Sequence, residues 1–291
     1  MEGSPCTPLE AEFLTGCIFN SRICSRLILP KLCSLRFFVL DASKIIFSKI
    51  LSMKEDYTDY LIQKTKEDYD KIAGDFDRTR SYIWSELNRF AGFTKNGDKI
   101  LDFGCGNGRL LEVFREKNAK YIGADFSLNL INLARNKYKA EVDAGKADFI
   151  KLDGLKLPFP DRSFDAIYSI AVLHHIPSVQ KREELLAEFS RILKPNGKII
   201  ITVWNLWQRK YLNLILKHTI KKILGQSKAD FKDILVPWKD ASGKSSADRY
   251  YHCFTQRELK QIIKRAGFNI LESGFFGGTK GKFNIYVIAE K

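Results

Sequence analysis

The residues that decide the fold are 99–108, which read KILDFGCGNG. After Lys99, residues 100–103 form an apolar run broken only by Asp102, which is typical of a buried strand. Gly104, Gly106 and Gly108 follow at once, and glycine lets the backbone pass close to a ligand. A helix that begins after such a loop offers unpaired N–H groups and a positive dipole end to an anion. The stretch therefore predicts a strand, a ligand-binding loop and a helix.

The glycine spacing differs from two common phosphate-binding loops. A dinucleotide fingerprint requires a glycine where this chain has Arg109, and a P-loop requires Gly-Lys followed by Ser or Thr. Asp102, two positions before the first glycine, is a poor neighbour for a pyrophosphate but suits an ammonium group. The predicted ligand therefore has an ammonium group beside a carboxylate that the start of the helix can bind, as an amino acid does.

Two further acids follow the next predicted strands. Asp125 ends the apolar run 121–125, where a carboxylate can accept hydrogen bonds from both hydroxyls of a ribose. Asp153, followed by Gly154, ends the third run, where a carboxylate can accept from the amino group of adenine. Each acid alone is more often a cap or turn residue. Together, an amino acid, a ribose and an adenine describe S-adenosylmethionine, which is the predicted cofactor.

Short apolar runs alternate with amphipathic stretches from about residue 60. Strands are predicted at 99–103, 121–125, up to 152–153, at 164–170 and at 198–204, with helices at 109–117, from Ser127, which is the predicted N-cap, and at 180–193. A capped helix that begins at Thr255 and covers 255–266 is followed by a strand pair at 268–273 and 283–290. This alternation predicts an α/β fold with a doubly wound parallel sheet, whose ligands lie beyond the carboxyl ends of the strands.

These motifs, with LPFPDRSFD at 157–165 and LKPNG at 193–197, resemble those of the class I S-adenosylmethionine-dependent methyltransferases. The resemblance covers about residues 65–291 and implies a seven-stranded, mostly parallel sheet whose last strand is antiparallel. The residues predicted to bind the cofactor are Asp102, Gly104, Cys105, Gly106, Asn107, Asp125, Phe126, Asp153, Gly154, Ser169 and Ala171.

Three segments indicate a particular family within this class of methyltransferases. They are YDKIAGDF at 69–76, followed by Thr79, Arg80 and Trp84; SIAVLHHI at 169–176; and VPWK at 236–239 with RYYHCF at 249–254. They are similar to the tRNA methyltransferases that esterify 5-carboxymethyluridine at the wobble position, both the yeast-type enzyme and the matching domain of the AlkB-homologue tRNA hydroxylase. Gly74-Asp75 stands where that family has Pro-His, and Ser81-Tyr82-Ile83 stands where it has Tyr-Lys-Pro.

The chemistry of such a substrate sets what the protein must supply. A carboxylate with a pKa of about 4 is ionised at neutral pH, so it attacks a sulfonium methyl group without a general base. Arg249 is the predicted carboxylate clamp, and His174 or His175 is expected near the point of methyl transfer. The predicted substrate-binding residues are Tyr69, Arg80, Trp204, Trp238, Lys239, Tyr250, Tyr251 and His252. The alternatives are that the histidines end a buried strand, that Arg249 binds an RNA phosphate, and that Trp238 and the tyrosines are core residues.

The charge distribution points to an anionic partner. The 291 residues contain 48 Lys or Arg against 34 Asp or Glu, and residues 204–265 alone contain 14 against five. A basic helical insert is predicted at about 205–250, where aromatic residues alternate with cations, as suits the anticodon loop of tRNA. A solvated face is the simpler interpretation. The amphipathic stretch 211–224 could equally contact RNA, a membrane surface or a partner protein.

Residues 1–52 differ in character from the rest. They lack sustained periodicity, and they hold four of the six cysteines and no CxxC pair, so no metal site is predicted. They are interpreted as a poorly ordered extension or a misassigned start before Met53, with the methyltransferase domain at 53–291. The alternative is an organelle or membrane anchor that uses residues 37–40 and 45–47. Since no stretch of 18 uncharged apolar residues occurs, no membrane span is expected.

The sequence therefore predicts a methyltransferase that acts on the wobble uridine of tRNA, located in the cytoplasm, with the nucleus as an alternative in a eukaryote. Two other functions remain open: a methyltransferase for a small acidic or quinone-like metabolite, and a non-catalytic RNA-binding protein of this fold. The resemblance to the yeast-type family also implies a small zinc-binding activator subunit.

Overall fold

The computed structural model describes residues 53–80, 85–239, 245–278 and 282–291. The predictions for residues 1–52, for Ser81-Tyr82-Ile83 and for Trp84 lie outside these ranges. The helices are α1 (Glu55–Thr79), α2 (Ser85–Ala91), α3 (Leu128–Lys137), α4 (Lys139–Asp143), α5 (Val179–Ile192), α6 (Arg209–Ile223) and α7 (Gln256–Arg265). The strands are β1 (Lys99–Phe103), β2 (Lys120–Asp125), β3 (Ala147–Lys151), β4 (Phe164–Ile170), β5 (Leu193–Trp204), β6 (Asp233–Lys239), β7 (Ser245–His252), β8 (Asn269–Phe276) and β9 (Asn284–Glu290).

Seven strands form one sheet in the order β3-β2-β1-β4-β5-β9-β8. Strands β1 to β5 pair in parallel, and β9 pairs antiparallel with both β5 and β8. Apolar cores lie on both faces: Leu101 and Phe103 belong to one and Ile100 to the other. The doubly wound, mostly parallel sheet with an antiparallel last strand confirms the predicted fold class. Because the strand order reverses between β1 and β4, a crevice lies beyond their carboxyl ends.

Side-chain caps start three of the helices. The hydroxyl of Ser127 accepts a hydrogen bond from the N–H of Leu130, and the hydroxyl of Thr255 accepts one from Glu258, as the sequence predicts. Ser178 caps α5 in the same way. Residues Arg109–Lys117 form a 3-10 helix rather than an α-helix, between left-handed residues Gly108 and Asn118.

The basic insert contains the expected helix, α6, but also an antiparallel hairpin of β6 and β7 that the predicted helical insert lacks. The hairpin shows no alternation of apolar and polar residues because both faces of β7 are buried. Tyr250 packs with Met53 and Leu61 on one side, and Tyr251 packs with Leu206 on the other. A strand that is buried on both faces loses the period-two signal.

Helix α1 is attached to both the sheet and the hairpin. The carboxylate of Asp70 accepts hydrogen bonds from the hydroxyl of Ser127 at 2.5 Å and from the N–H of Asn129 at 3.2 Å. The N–H of Met53 donates to Asp230 at 2.7 Å. These bonds hold α1 beside the start of α3, next to the carboxyl end of β2. Within the described ranges, no helix combines the length and apolarity that crossing a membrane requires.

Candidate active site

A cavity lies beyond the carboxyl ends of β1, β2 and β4, and we call it the central cavity. It holds about 1180 Å³ of empty space counting its open mouth. Its walls come from α1, the glycine loop (residues 104–108), the end of β2, the segment after β4, and Trp204 and Arg249.

Two glycines of the loop have no substitute. Gly104 has a left-handed φ of +75°, and a Cβ atom there would lie 2.3 Å from Cγ2 of Val172. Gly106 has a φ of +56°, and its N–H donates to the carboxylate of Asp125 at 2.9 Å. A side chain at either position would be strained, and at Gly104 it would also push into the wall behind the loop.

Asp102 presents a buried carboxylate to the central cavity, and Asp125 presents a half-buried one. Burial raises the pKa of Asp102 to about 7, although the hydroxyl of Tyr121 donates to it at 2.5 Å and opposes that rise. Burial also raises the pKa of Asp125, while N–H groups of Ser127 and Gly106 counteract it. A cationic ligand beside Asp102 would stabilise its ionised form, so the site favours an ammonium group.

Asn107 connects the glycine loop to the end of α1. Its Nδ2 donates to the carboxylate of Asp77 at 2.8 Å and to the carbonyl of Arg80 at 3.4 Å. Its Oδ1 is buried and has no hydrogen-bond partner among the described residues. A buried acceptor of this kind calls for a donor from a ligand or water.

The predicted cofactor residues divide into two groups. Eight line the central cavity: Asp102, Gly104, Cys105, Gly106, Asn107, Asp125, Phe126 and Ala171. Asp153, Gly154 and Ser169 are not part of its wall. The side chain of Asp153 is 85% exposed and pairs with Lys151, which lowers its pKa. Ser169 is buried within β4. Asp153 therefore lies beyond the end of β3, outside the wall of the central cavity.

Arg249 is a buried cation in the wall of the central cavity, only 5% exposed. Its guanidinium carbon lies 4.6 Å from the ring centre of Trp238, 5.2 Å from that of Tyr251 and 5.8 Å from that of Trp204. No salt bridge joins it to any carboxylate of the described residues, and its Nε has no hydrogen-bond partner there. Since a buried charge is costly unless it is paired, this position fits an anionic ligand group.

His175 takes part in a chain of hydrogen bonds that ends in the cavity. Its Nδ1 lies 2.9 Å from the carbonyl oxygen of Tyr250, and its Nε2 lies 2.9 Å from the hydroxyl of Tyr69. Because a carbonyl only accepts, Nδ1 carries the proton and Nε2 accepts from Tyr69. Burial, with the nearby charge of Arg249, lowers the pKa of His175 to about 3. The ring is therefore neutral and orients Tyr69.

Other predicted residues lie behind this wall rather than in it. His174 is fully buried and stacks on Tyr251, with ring centres 5.1 Å apart. Tyr250 lies in the small core beneath α1. His252 is buried between the carboxylates of Asp233, at 2.6 Å, and Glu258, at 2.8 Å. These placements correct the predicted direct contacts of His174, Tyr250, Tyr251 and His252 to supporting positions in the core.

The remaining substrate candidates differ in their relation to the central cavity. Tyr69, Arg80 and Trp204 line the central cavity. Trp238 is buried, and its ring centre lies 5.6 Å from the guanidinium carbon of Arg80 and 4.6 Å from that of Arg249. Lys239 is the last residue of β6. Trp238 does not line the cavity itself. It contacts two arginines that do, Arg80 and Arg249, and so positions them.

Several wall residues were not predicted as site residues. Helix α1 contributes Ile62, Thr65, Lys66 and Phe76 alongside Tyr69, and Arg109 follows the glycine loop. The α1 residues lie three, four, seven and fourteen positions after Ile62, which places them on one face of the helix. This periodicity is the signal that could have revealed them. Among the described residues, no cluster of His, Cys, Asp or Glu is arranged to hold a metal ion.

Comparison with known proteins agrees with this geometry. A protein family described as methyltransferase domain matches residues 76–273. The chain is 31% identical over 241 residues to the tRNA (carboxymethyluridine(34)-5-O)-methyltransferase of Schizosaccharomyces pombe. That alignment covers 77% of this chain and 94% of that protein.

Solved structures share the fold. A SAM-dependent methyltransferase from Methanosarcina mazei matches with a TM-score of 0.57 and 24% identity, over 72% of this chain and 98% of that chain. A Haloferax volcanii methyltransferase, solved in complex with the Trm112 methyltransferase activator, matches with a TM-score of 0.52 and 16% identity. This second match covers 78% of this chain and 96% of that chain.

Proposed function

Since this chain belongs to the class I S-adenosylmethionine-dependent methyltransferases, in the family of the tRNA (carboxymethyluridine(34)-5-O)-methyltransferases, we propose that it methylates the carboxylate of 5-carboxymethyluridine at the wobble position of tRNA. The observation that carries the proposal is Arg249. It places a buried cation in the wall of the central cavity, and no carboxylate of the described residues forms a salt bridge with it. A guanidinium donates two parallel hydrogen bonds to a carboxylate, so the carboxylate of the substrate can pair with Arg249.

S-adenosylmethionine is the methyl donor, and the wall of the central cavity fits it. Asp102 suits its ammonium group, Asp125 suits its ribose, and the unpaired Oδ1 of Asn107 offers an acceptor. Gly104 and Gly106 line the cavity, and the absence of side chains there lets the loop backbone approach the ligand. When bound, the donor supplies an electrophilic methyl group on a positively charged sulfur.

The protein's own residues then position the acceptor. Arg249 orients the carboxylate, and the rings of Trp204, Trp238 and Tyr251 exclude water from its surroundings. No residue has to remove a proton, because the carboxylate is already ionised. In this scheme His175 is a positioning residue: it stays neutral and holds the hydroxyl of Tyr69 in the wall.

The proposal extends to the partners of the enzyme. The basic insert with its interleaved aromatic residues supports binding of the anticodon loop. An activator subunit is part of the same proposal, supported by the Haloferax volcanii structure that contains the Trm112 activator. We also propose a cytoplasmic location, which follows from the substrate. No observation favours a small metabolite as substrate or a loss of catalysis.

The test is methyl transfer to tRNA by the full chain, with an activator subunit supplied. Radiolabelled S-adenosylmethionine is incubated with tRNA from cells that lack their own wobble esterase, and the product is digested to nucleosides. We expect label in a base-labile methyl ester of 5-carboxymethyluridine. We expect Arg249→Ala to lower kcat/KM at least about 100-fold and Arg249→Lys to lower it less, because lysine keeps the charge but not the paired donors.

The matched control is Arg265→Ala, which removes an arginine that is 61% exposed at the end of α7. It should retain wild-type activity. If cofactor binding is intact and no RNA becomes labelled, the tRNA proposal is wrong. Labelling of small acidic metabolites without RNA would then support the metabolite alternative.

A further inference from the structure

A second cavity adjoins the central cavity and is left without a role by the proposed reaction. It holds about 1260 Å³ of empty space counting its open mouth. Arg80, Arg109 and Trp204 line both cavities, so the two spaces are neighbours that share a wall. Trp204, whose ring centre lies 5.8 Å from the guanidinium carbon of Arg249, therefore borders both cavities.

The second cavity combines cations with aromatic faces. Arg80 and Arg109 lie close enough that the charge of Arg80, after burial, lowers the pKa of Arg109. Lys210 places its Nζ 4.7 Å from the ring centre of Tyr211 and 5.8 Å from that of Phe283. Glu86 is the one acid among the described residues of its wall. Two guanidiniums held together favour a phosphate between or beside them.

Phe283 is held in place by the turn between β8 and β9. A Cβ atom on Gly278, whose φ is +73°, would lie 2.2 Å from Cδ2 of the Phe283 ring. The N–H of Phe283 donates to the carbonyl of Gly277 at 3.1 Å. Although packed against this glycine, Phe283 is still 49% exposed, so part of its ring is available for stacking.

We propose that the second cavity binds the nucleotide next to the wobble uridine, with its phosphate near Arg80 and Arg109 and its base against Tyr211 and Phe283. This inference rests on the proposed function. A base that enters an enclosed site must leave the stack, so its neighbour needs a separate place. Cations for the backbone and aromatic faces for the base are what proteins use for single-stranded nucleic acid. A small-metabolite substrate would need no such second space.

The experiment compares two acceptors that share the same reacting group. One is an anticodon stem–loop RNA with 5-carboxymethyluridine at the wobble position, and the other is the free nucleoside. We expect Phe283→Ala and Lys210→Ala each to raise the KM for the stem–loop about tenfold, with kcat little changed. With the nucleoside, kcat/KM should stay within about twofold of wild type, because nothing occupies the second cavity.

Matched controls come from outside both cavities. Phe275→Ala removes another exposed phenylalanine, and Lys120→Ala removes an exposed lysine at the amino-terminal edge of the sheet. Each control variant should keep the wild-type KM and kcat for both the stem–loop and the nucleoside. Fluorescence anisotropy with labelled stem–loop and S-adenosylhomocysteine measures binding separately from catalysis. Two further stem–loop RNAs each carry one abasic site, on the 5′ side of the wobble uridine in one and on the 3′ side in the other. Phe283→Ala should have no effect on binding to one of these RNAs and its full effect on binding to the other.

The outcomes separate the two proposals. If wild type methylates the stem–loop and the Phe283 and Lys210 variants retain its KM and affinity, the second-cavity inference is wrong and the proposed function stands. If wild type binds the stem–loop through these residues but does not methylate it, the proposed function is wrong. If wild type neither binds nor methylates the stem–loop, both fail.

Discussion

The two walls of the central cavity differ in how far apart in the chain their residues lie. The cofactor wall uses the glycine loop and the end of the next strand, with Gly106 and Asp125 separated by 19 positions. The wall around Arg249 joins Tyr69 to His175 across 106 positions and His175 to Tyr250 across 75. The first wall depends on backbone conformation in one short motif, whereas the second depends on the packing of α1 and the hairpin. Mutations should therefore affect the two walls in different ways.

The largest effect is expected from Gly104→Ala in the cofactor wall. The new Cβ would meet Val172 at 2.3 Å in a left-handed backbone conformation. We expect affinity for S-adenosylmethionine, measured by calorimetric titration, to fall at least about 100-fold. Adding Val172→Ala should recover part of the loss, because it removes the clash but not the backbone strain. Wild-type affinity in the single variant would mean that the loop does not define the site.

A smaller, pH-dependent effect is expected from Asp102→Asn. The pKa of Asp102 is raised to about 7 in the folded protein from an ordinary value of 3.8. The ammonium group of the cofactor prefers the ionised carboxylate, so affinity should fall about tenfold between pH 8 and pH 6 in wild type. Asp102→Asn should bind more weakly at pH 8 and show a flatter profile. Equal pH profiles for the two proteins would contradict this assignment.

The same group makes the ligand-free protein sensitive to pH. Between pH 4 and pH 7 the folded chain holds a proton on Asp102 that the unfolded chain releases. The free energy of unfolding should therefore decrease as the pH rises through that window. Urea unfolding at pH 5 and pH 8 measures this difference, and Asp102→Asn should reduce it. S-adenosylmethionine should also reduce it, because the bound ammonium stabilises the ionised form.

The smallest effect on activity is expected from His252→Ala, behind the substrate wall. Burial raises the pKa of Glu258, but the hydrogen bond and charge from His252 act against burial, and this pKa is lowered to about 2. Removing His252 takes a partner from two carboxylates and should lower the free energy of unfolding by about 2–4 kcal/mol. The folded variant should keep wild-type kcat/KM, and the control His218→Ala should change stability little. If the variant is stable but methylates RNA poorly, the result would support the contact between His252 and the substrate that the sequence predicts.

Most of the fold could be predicted because its signals are local. The strands around Asp102 and Asp125, and the caps at Ser127 and Thr255, lie where short sequence patterns place them. The hairpin of the insert was missed because Tyr250 and Tyr251 are both buried, which hides the alternation of a strand.

The sequence by itself determined the sheet, the glycine loop and its two acids, because backbone conformation and strand ends depend on neighbouring residues. Only the tertiary structure decided which of the aromatic and basic residues of 236–254 face the cavity. Arg249 lies in the wall, while His252, three positions further along the chain, is buried between the carboxylates of Asp233 and Glu258. Likewise, only the structure shows that Asp153 is exposed to solvent and that a second cavity lies beside Arg80. Around this wall Tyr69 contacts His175 across 106 positions and His175 contacts Tyr250 across 75, so these placements follow from packing and not from spacing in the sequence.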